Sequence, residues 1–272
     1  MGQPWTLDDI AWQSFDSEQV DTDVLLAVKA ASMVESHSDD YVAYLCNVFH
    51  DDIEFQEEAV RWGGEELQHG AALRQWAEIA DPTWDYEAAF ARFKKGHLLP
   101  LDAIESVRGS RTSELVARCV VEVGTSSFYS ALCDAVDEPV LKQICANIAA
   151  DEFRHYKLFY SYSKRYRRVE NSTLLARMLA AISRMRESDD DELAYAFYCG
   201  SGDRRPYDRR TYYRAYAGRA YSHYRYRHVA RGINMTLKAI GISPQSWIAN
   251  AVVRLGWKLF RSRTRQLHAA VA

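Results

Sequence analysis

The sequence predicts an all-α protein, a bundle of four long helices followed by additional C-terminal helices. Helical periodicity of apolar residues is strong in four long segments, and signals for β-strands are nearly absent. Only 13 Gly and 6 Pro occur among the 272 residues, a length that is able to bury one substantial core. We expect the bundle over residues 1–170 and a basic, Tyr-rich helical extension over residues 171–272 that packs on it and need not be a separate domain.

The four segments are called A to D here. Segment A covers about 21–49 and segment B about 52–80, while segment C begins near Ser110 and Thr112 and segment D opens at Asp137 with Pro139 in its first turn. Few residues join A to B and C to D, so each pair should form an antiparallel hairpin. The connection from B to C, about 30 residues with expected short helices near 87–95 and 101–108, is long enough to return along the bundle.

A charged residue interrupts the apolar stripe of each segment. The glutamates in phase with the core positions are Glu35 in A, Glu66 in B, Glu122 in C and Glu152 in D. A buried, unpaired carboxylate is strongly destabilising, so four of them in one core require compensating cations. His69 and His155 each follow a glutamate by three residues, which places the two side chains on one helix face.

These residues together suggest a site for two metal ions. Glu66 follows Glu35 by 31 residues, and Glu152 follows Glu122 by 30 residues. Each interval is about the length of one helix-turn-helix hairpin. A Glu from each of two helices and Glu-x-x-His from each of two others is the ligand set of ferritin-like di-iron and di-manganese proteins. Oxygen and nitrogen ligands suit iron or manganese. The sequence leaves alternatives open, namely Ser36, His37, Asp39 or Asp40 in place of Glu35, and Glu65 in place of Glu66.

Two stretches resemble the soluble acyl-[acyl-carrier-protein] desaturases. Residues 62–70 read WGGEELQHG and residues 141–155 read LKQICANIAADEFRH, similar to the family segments W-x-x-E-E-x-x-H-G and L-x-Q-I-C-x-x-I-A-x-D-E-x-R-H. The resemblance covers roughly residues 24–168 and is specific in segment D, good in B and loose in A and C. The chain departs from the family in its shorter length, in the absence of the usual arginine after Glu122, and in its basic end from residue 204.

The resemblance implies a ferritin-like di-iron enzyme that uses O2 to desaturate or hydroxylate a fatty acyl chain linked to acyl carrier protein or to a lipid. It implies two iron ions, with manganese as an alternative at one position, bound by Glu35, Glu66, His69, Glu122, Glu152 and His155. It also implies that Asp151 orients a ligand histidine and serves the electron path. For Thr125 it implies a hydroxyl that assists O2 activation, the alternative being a hydrogen bond to a carbonyl one turn back. Two other functions stay open: a di-iron oxidase of a non-lipid biosynthetic intermediate, and a non-catalytic ferritin-like iron-binding protein.

The charge is unevenly divided along the chain. The net charge is −3, but residues 204–272 hold 15 Lys and Arg and a single acid, a net charge of +14. Residues 204–231 interleave Arg and Tyr, and we do not expect a nucleic-acid partner because no recognised binding module accompanies them. We expect these arginines to neutralise the acidic bundle instead.

The end of the chain predicts an amphipathic helix over residues 243–267, beginning at Ser243 and Pro244. One face would carry Trp247, Ile248, Ala251, Val252, Leu255, Leu259 and Phe260, and the other Arg254, Lys258, Arg261 and Arg265. This pattern suits docking to an anionic membrane surface or to an acidic acyl carrier protein. Packing on the bundle itself or on the other subunit of a homodimer is the alternative.

Cysteines and motifs limit the compartment and the cofactors. The five cysteines are scattered without a CxxC pair, which suits reduced thiols and excludes a second iron centre on four cysteines. No secretory signal and no apolar run of ~20 residues is recognisable, so we expect a cytoplasmic protein, with peripheral membrane association as an alternative. No flavin, nicotinamide or iron–sulfur motif occurs, so we expect electrons from an external ferredoxin or reductase.

Overall fold

The computed structural model describes residues 5–96, 100–187 and 191–268. Within these ranges every regular element is a helix, so the all-α prediction is confirmed. Short 3-10 helices near the N-terminus precede α1 (Thr22–Glu35), α2 (Ser38–Val48), α3 (Ile53–Ala80), α4 (Tyr86–Gly96), α5 (Arg111–Cys133), α6 (Pro139–Val169), α7 (Leu174–Glu187), α8 (Asp191–Gly200), α9 (Arg209–Ser222), α10 (Tyr226–Ile240) and α11 (Trp247–His268). None of the described helices combines the length and apolar character that crossing a bilayer requires.

The three long helices α3, α5 and α6 correspond to segments B, C and D. Asp52, Ser110 and Glu138 precede them, and each side chain accepts hydrogen bonds from backbone N–H groups of the first turn. Residues 134–138 join α5 to α6, which pack against each other more extensively than any other described pair of helices. α3 packs on both α1 and α6, so the interior of the bundle lies between these elements.

Segment A is not one helix, and the prediction of a continuous helix over 21–49 is wrong. α1 ends at Glu35 and α2 begins at Ser38. Ser38 Oγ donates a hydrogen bond of 3.0 Å to the carbonyl of Gly63 on α3, and short polar side chains compete with helical hydrogen bonds in this way. Asp39 and Asp40 then favour a new helix N-terminus because they lie in the first turn of α2.

The connection between α3 and α5 contains only the first of its two predicted helices. α4 covers the expected residues 87–95, but residues 101–108 form turns and bends, so that prediction is wrong. Side chains of α2 bind the backbone of this stretch: the amide of Val107 donates to the Tyr44 hydroxyl at 3.2 Å, and Asn47 donates to the carbonyl of Leu101 at 2.7 Å. These tertiary hydrogen bonds satisfy backbone groups that a helix would otherwise pair.

The C-terminal helices pack on the bundle. α7 and α10 contact α5, while α8 and α9 contact α1. Basic residues of this region pair with acids of the bundle: Arg219 donates to Asp23 at 2.7 Å, and His228 Nε2 lies 2.6 Å from Oδ2 of Asp134. Tyr216 of α9 is buried in the same hydrophobic cluster as Val28 and Ala31 of α1. The Tyr-rich region therefore contributes to the hydrophobic core.

The last helix, α11, begins at Trp247 rather than at Ser243, and most of the predicted apolar face remains exposed. The helix packs on α9 and α10, and a Cβ at Gly256 would lie 2.4 Å from Ile233, so close approach of α10 requires glycine there. Phe260 packs against Tyr221, so its assignment to one face with Trp247 and Leu259 is wrong. Trp247 is 78% exposed and Leu259 61% exposed. Small residues let the helices approach, and most of the larger apolar side chains point outward.

Candidate metal centre

Four glutamates from four helices meet in the interior of the bundle. Glu35 is the last residue of α1, and the others lie inside α3, α5 and α6. The structure brings together all six residues that the sequence nominated, and all six are buried: Glu35, Glu66, His69, Glu122, Glu152 and His155.

The six residues form two groups that share two members. Glu35, Glu66, His69 and Glu152 form one group, and Glu66, Glu122, Glu152 and His155 the other; in each, the potential ligand atoms lie within 4.8 Å of one another. His69 Nδ1 lies 3.2 Å from Glu66 Oε2 and 3.4 Å from Glu152 Oε1. His155 Nδ1 lies 3.1 Å from Glu66 Oε1 and 3.8 Å from Glu152 Oε2. Glu66 and Glu152 thus each direct one oxygen toward His69 and the other toward His155.

Both imidazoles direct Nδ1 inward and Nε2 outward. Nε2 of His69 lies 3.1 Å from Oδ2 of Asp151, and Nε2 of His155 lies 2.8 Å from Oε2 of Glu65. A carboxylate that accepts the outer proton leaves the inner nitrogen able to bind a cation and fixes the ring. Asp151 therefore lies against the ring of His69, and Glu65, the alternative to Glu66, lies outside the two groups.

Several buried polar atoms of the centre have no hydrogen-bond partner among the described residues. They are both carboxylate oxygens of Glu122, Oε1 of Glu152 and Nδ1 of His155. Buried polar atoms are nearly always paired, and an unpaired carboxylate is strongly destabilising in an interior. Two divalent cations would pair all of these atoms, so the residues fit a pair of ions, and the oxygen and nitrogen donors suit iron or manganese.

Without cations, the groups of the centre compete for protons. Burial and the charges of Glu66 and Glu152 raise the pKa of Glu35 well above its usual value, and burial and Glu152 do the same for the pKa of Glu122. Burial works against charge on the two histidines, but the surrounding carboxylates outweigh it and raise the pKa of each imidazole well above its usual value. The metal-free centre therefore holds protons that cations must displace.

The other candidates in segment A lie outside the two groups. His37 Nε2 lies 2.8 Å from Oδ2 of Asp40, and Asp39 is exposed. Ser36 lies against α3, where a Cβ at Gly70 would meet Ser36 Oγ at 2.2 Å. Glycine directly after His69 therefore allows α3 to approach the end of α1 closely, and this brings Glu35 to the centre.

Thr125 lies one helical turn after Glu122. Its hydroxyl lies 2.6 Å from Oε2 of Glu152 and 3.2 Å from the carbonyl oxygen of Glu122. The Thr125 hydroxyl thus contacts both a carboxylate of the centre and a carbonyl one turn back, the two positions that the sequence left open for it.

Two further residues, Tyr129 and Trp5, contact the centre although the sequence motifs did not indicate a role for them there. The Tyr129 hydroxyl donates to Glu35 Oε1 at 2.5 Å. Trp5 Nε1 donates to Asp151 Oδ2 at 2.7 Å, and the Trp5 ring is stacked with that of His69 at a centroid distance of 6.1 Å. Tyr129 lies two turns after Glu122 on the same face of α5, a signal that the sequence contains. Trp5 is distant from its partners in sequence, and no local pattern indicates it.

A cavity of about 170 Å³ adjoins the centre. Glu35 and Thr125 line both this cavity and a smaller space of about 60 Å³ that also borders Glu66, Glu122 and Glu152. The wall of the cavity is largely apolar and aromatic and includes Val34, Val121, Phe128, Tyr216, Tyr221 and Tyr224. The last three belong to the Tyr-rich C-terminal region, which therefore builds part of the site.

Comparison with known proteins adds no assignment. The chain matches no model of a known protein family, and no curated protein matches it. The resemblance to desaturases is therefore limited to the two sequence motifs.

Proposed function

We propose that the protein is a ferritin-like, non-haem di-iron oxidoreductase that uses dioxygen. The observation that carries this proposal is the sharing of Glu66 and Glu152 between two buried ligand groups. Glu35 and His69 would hold one ion, Glu122 and His155 the other, and the two shared glutamates would hold both. This is the ligand set of the di-iron carboxylate proteins.

A bound pair of ferrous ions supplies the redox chemistry that couples reduction of dioxygen to oxidation of a C–H bond. The chain sets the conditions for that chemistry. Four carboxylates balance the charge of two divalent ions, and Asp151 and Glu65 fix the histidine rings. The Thr125 hydroxyl, 2.6 Å from Glu152, holds a proton at the border between the centre and the cavity.

For the substrate, the motif resemblance favours a fatty acyl chain that is desaturated or hydroxylated. The cavity favours a second candidate, a compact non-lipid intermediate. Its volume of about 170 Å³ is near the ~150 Å³ that holds a benzene-sized ligand and below the roughly 300 Å³ at which pockets for drug-sized ligands begin. A non-catalytic iron-binding protein has no need of such a cavity.

For the electron donor, the geometry favours a separate protein that docks at an open groove. Trp5, Glu65, Asp151, Arg154 and His155 line this groove. Trp5 donates to Asp151, which in turn binds His69, so a hydrogen-bonded chain leads from the groove to a metal ligand. A ferredoxin or a reductase bound there would lie next to this chain.

For a further partner, α11 favours an anionic membrane surface. Its outward side presents Ile248, Leu255 and Leu259 together with the exposed cations Arg254 and Lys258, a combination typical of interfacial helices. The net charge of +14 over residues 204–272 adds electrostatic attraction to anionic lipids. An acidic acyl carrier protein and a second copy of the chain are the alternatives for the same face.

Reconstitution with ferrous iron tests the proposed function. The iron-loaded protein is given electrons and O2, and lipid extracts of cells with and without the protein are compared by mass spectrometry. Iron-dependent O2 uptake supports the oxidoreductase, and loss of two hydrogens or gain of one oxygen in a lipid supports the acyl substrate. If the protein holds two iron ions and takes up no O2, the proposed oxidoreductase function is contradicted and the non-catalytic alternative is favoured.

A further inference from the structure

Arg118 is buried one helical turn before Glu122 on α5. It shares with Val121, Glu122 and Thr125 the face of α5 that is directed to the centre. Its side chain lines the 60 Å³ space next to the ligand carboxylates and is 5% exposed. Arginine is almost never buried without a partner, so the surroundings of its guanidinium group are informative.

No described residue accepts a hydrogen bond from Arg118. Its nearest paired carboxylate is Glu114, with Oε1 3.9 Å from Nε, and that Nε has no hydrogen-bond partner among the described residues. Oε2 of Glu114 accepts from the Tyr44 hydroxyl at 2.8 Å and from Ser106 at 2.9 Å, whereas Oε1 forms the ion pair with Arg118 without reaching hydrogen-bond distance. The guanidinium lies over the ring of Tyr41, 4.6 Å from its centroid, which fixes the group and leaves its N–H donors unused. Such a fork of donors matches a carboxylate.

The 60 Å³ space beside Arg118 adjoins the 170 Å³ cavity. Glu35, Val121 and Thr125 line both of them. Gly124 lies in the wall of the 170 Å³ cavity, and a Cβ there would meet no atom within 4 Å. Gly124 is itself exposed, so it lies at the mouth of the cavity, and a large side chain there would extend over the opening.

We propose that these two adjoining spaces together bind a compact organic acid. Arg118 receives the carboxylate, and an apolar body of the size of one ring or a short aliphatic chain lies beside Gly124 and Phe128. This inference rests on the proposed di-iron function and specifies its substrate class. The cations of the loaded centre would balance its four glutamates, and Arg118 and Arg184 offset the charges of Glu187 and Glu192, which also line these spaces. Trp62, whose Nε1 also lacks a hydrogen-bond partner among the described residues, lines the same space and offers a second donor.

The first test measures binding by calorimetry in the iron-loaded protein kept free of O2. Benzoate and hexanoate are the probes, and benzamide and hexanamide are their uncharged counterparts. We expect the acids to bind more tightly than the amides. Arg118→Gln should weaken binding of the acids about 10- to 100-fold, as loss of a hydrogen bond between charged groups does, and leave the amides unaffected. Arg118→Lys should restore part of the affinity because it keeps the charge but not the fork.

The second test fills the cavity. Gly124→Leu should abolish binding of benzoate, whereas Gly64→Leu, the matched control at an exposed position of α3 that is also open around its Cβ, should not. Thermal unfolding followed by circular dichroism shows that each variant is folded. Unchanged affinity for the acids in Arg118→Gln or in Gly124→Leu would overturn the proposal, as would binding of an acyl-carrier-protein thioester without binding of free acids.

Iron content measured in the same samples separates the two proposals. Two iron ions per chain together with no binding of acids would overturn the inference about Arg118 alone. Absence of bound iron would overturn the di-iron function and, with it, the substrate class.

Discussion

The hydroxyl of Tyr129 on α5 donates a hydrogen bond of 2.5 Å to Oε1 of Glu35, the last residue of α1. The hydrogen bond fixes the position of the Glu35 carboxylate. Because Glu35 is the last residue of α1, no following turn of that helix restrains it. Tyr129 is therefore a positioning residue for one of the proposed metal ligands. Hydrogen-bond partners of this kind tune the affinity of a metal site.

Replacing Tyr129 by phenylalanine should weaken binding of one of the two ions by about 10- to 100-fold, because Glu35 loses the donor that orients it. Titration calorimetry with Mn²⁺ measures the two affinities. Tyr44→Phe is the matched control, since it removes a buried hydrogen bond to Glu114, which belongs to neither ligand group. An equal loss of affinity in both variants would contradict a specific role of Tyr129.

Alanine at Glu122 or at His155 should prevent iron loading, because each removes a ligand and leaves the shared carboxylates with too few partners. Elemental analysis of the reconstituted protein gives the iron content per chain. Glu57→Ala, at an exposed position of α3, should load iron as the unchanged protein does. Full iron content in either ligand variant would refute the assignment.

Stabilisation by metal should increase as the pH rises. The raised pKa values of His69 and His155 stabilise the metal-free fold below about pH 6.5, and this contribution is lost as the pH rises through the raised values. The raised pKa values of Glu35 and Glu122 act in the same direction, since charging these acids destabilises the metal-free fold.

Because cations bind the deprotonated groups, the difference in Tm between Mn²⁺-loaded and metal-free protein should be larger at about pH 8 than at about pH 6. Differential scanning calorimetry at the two values measures it. An equal or larger difference at the lower pH would be incompatible with protonated histidines in the metal-free centre.

Replacing Trp5 by phenylalanine should leave the iron content unchanged and slow the reaction that a protein donor supports. The change removes the hydrogen bond to Asp151 and keeps an aromatic ring beside His69. O2 uptake is compared with a ferredoxin and with a small soluble reductant, which does not need the groove. Trp12→Phe is the control, since Trp12 donates to the carbonyl of Leu7 instead. Equal slowing with both reductants would argue against electron entry at Trp5.

Serine at Leu255 and Leu259 should reduce binding to anionic vesicles, because these exposed side chains provide the apolar area of the α11 face. Co-sedimentation with vesicles that contain phosphatidylserine measures the bound fraction. Serine at Ile53 and Val60, which are exposed on α3, is the matched control. Equal binding of the unchanged protein to neutral and to anionic vesicles would contradict the electrostatic part of the proposal.

The long helices α3, α5 and α6 and the residues that meet between them were predictable because helix geometry fixes which sequence spacings share one face. A histidine three residues after a glutamate shares its face, and glutamates one hairpin apart meet across the bundle. His69 and His155 lie where this rule places them. Of the alternatives that the sequence left open, the structure brings Glu35 rather than Asp39 or Asp40 to the centre.

What the sequence did not predict depends on contacts between distant residues. The break after Glu35 reflects the bond of Ser38 to α3, and the absence of a helix over 101–108 reflects Tyr44 and Asn47. The packing face of α11 is set by close approach at Gly256 rather than by the width of the apolar stripe. Residues 5 and 151 are joined only by the fold, so no local spacing in the sequence reports their hydrogen bond.

Anomalous X-ray scattering at the iron absorption edge, measured on a crystal of the iron-loaded protein, tests the central claim most directly. We expect two iron peaks inside the bundle, both bound to Glu66 and Glu152, one also to Glu35 and His69 and the other to Glu122 and His155. A single peak, or peaks away from the shared glutamates, would contradict it.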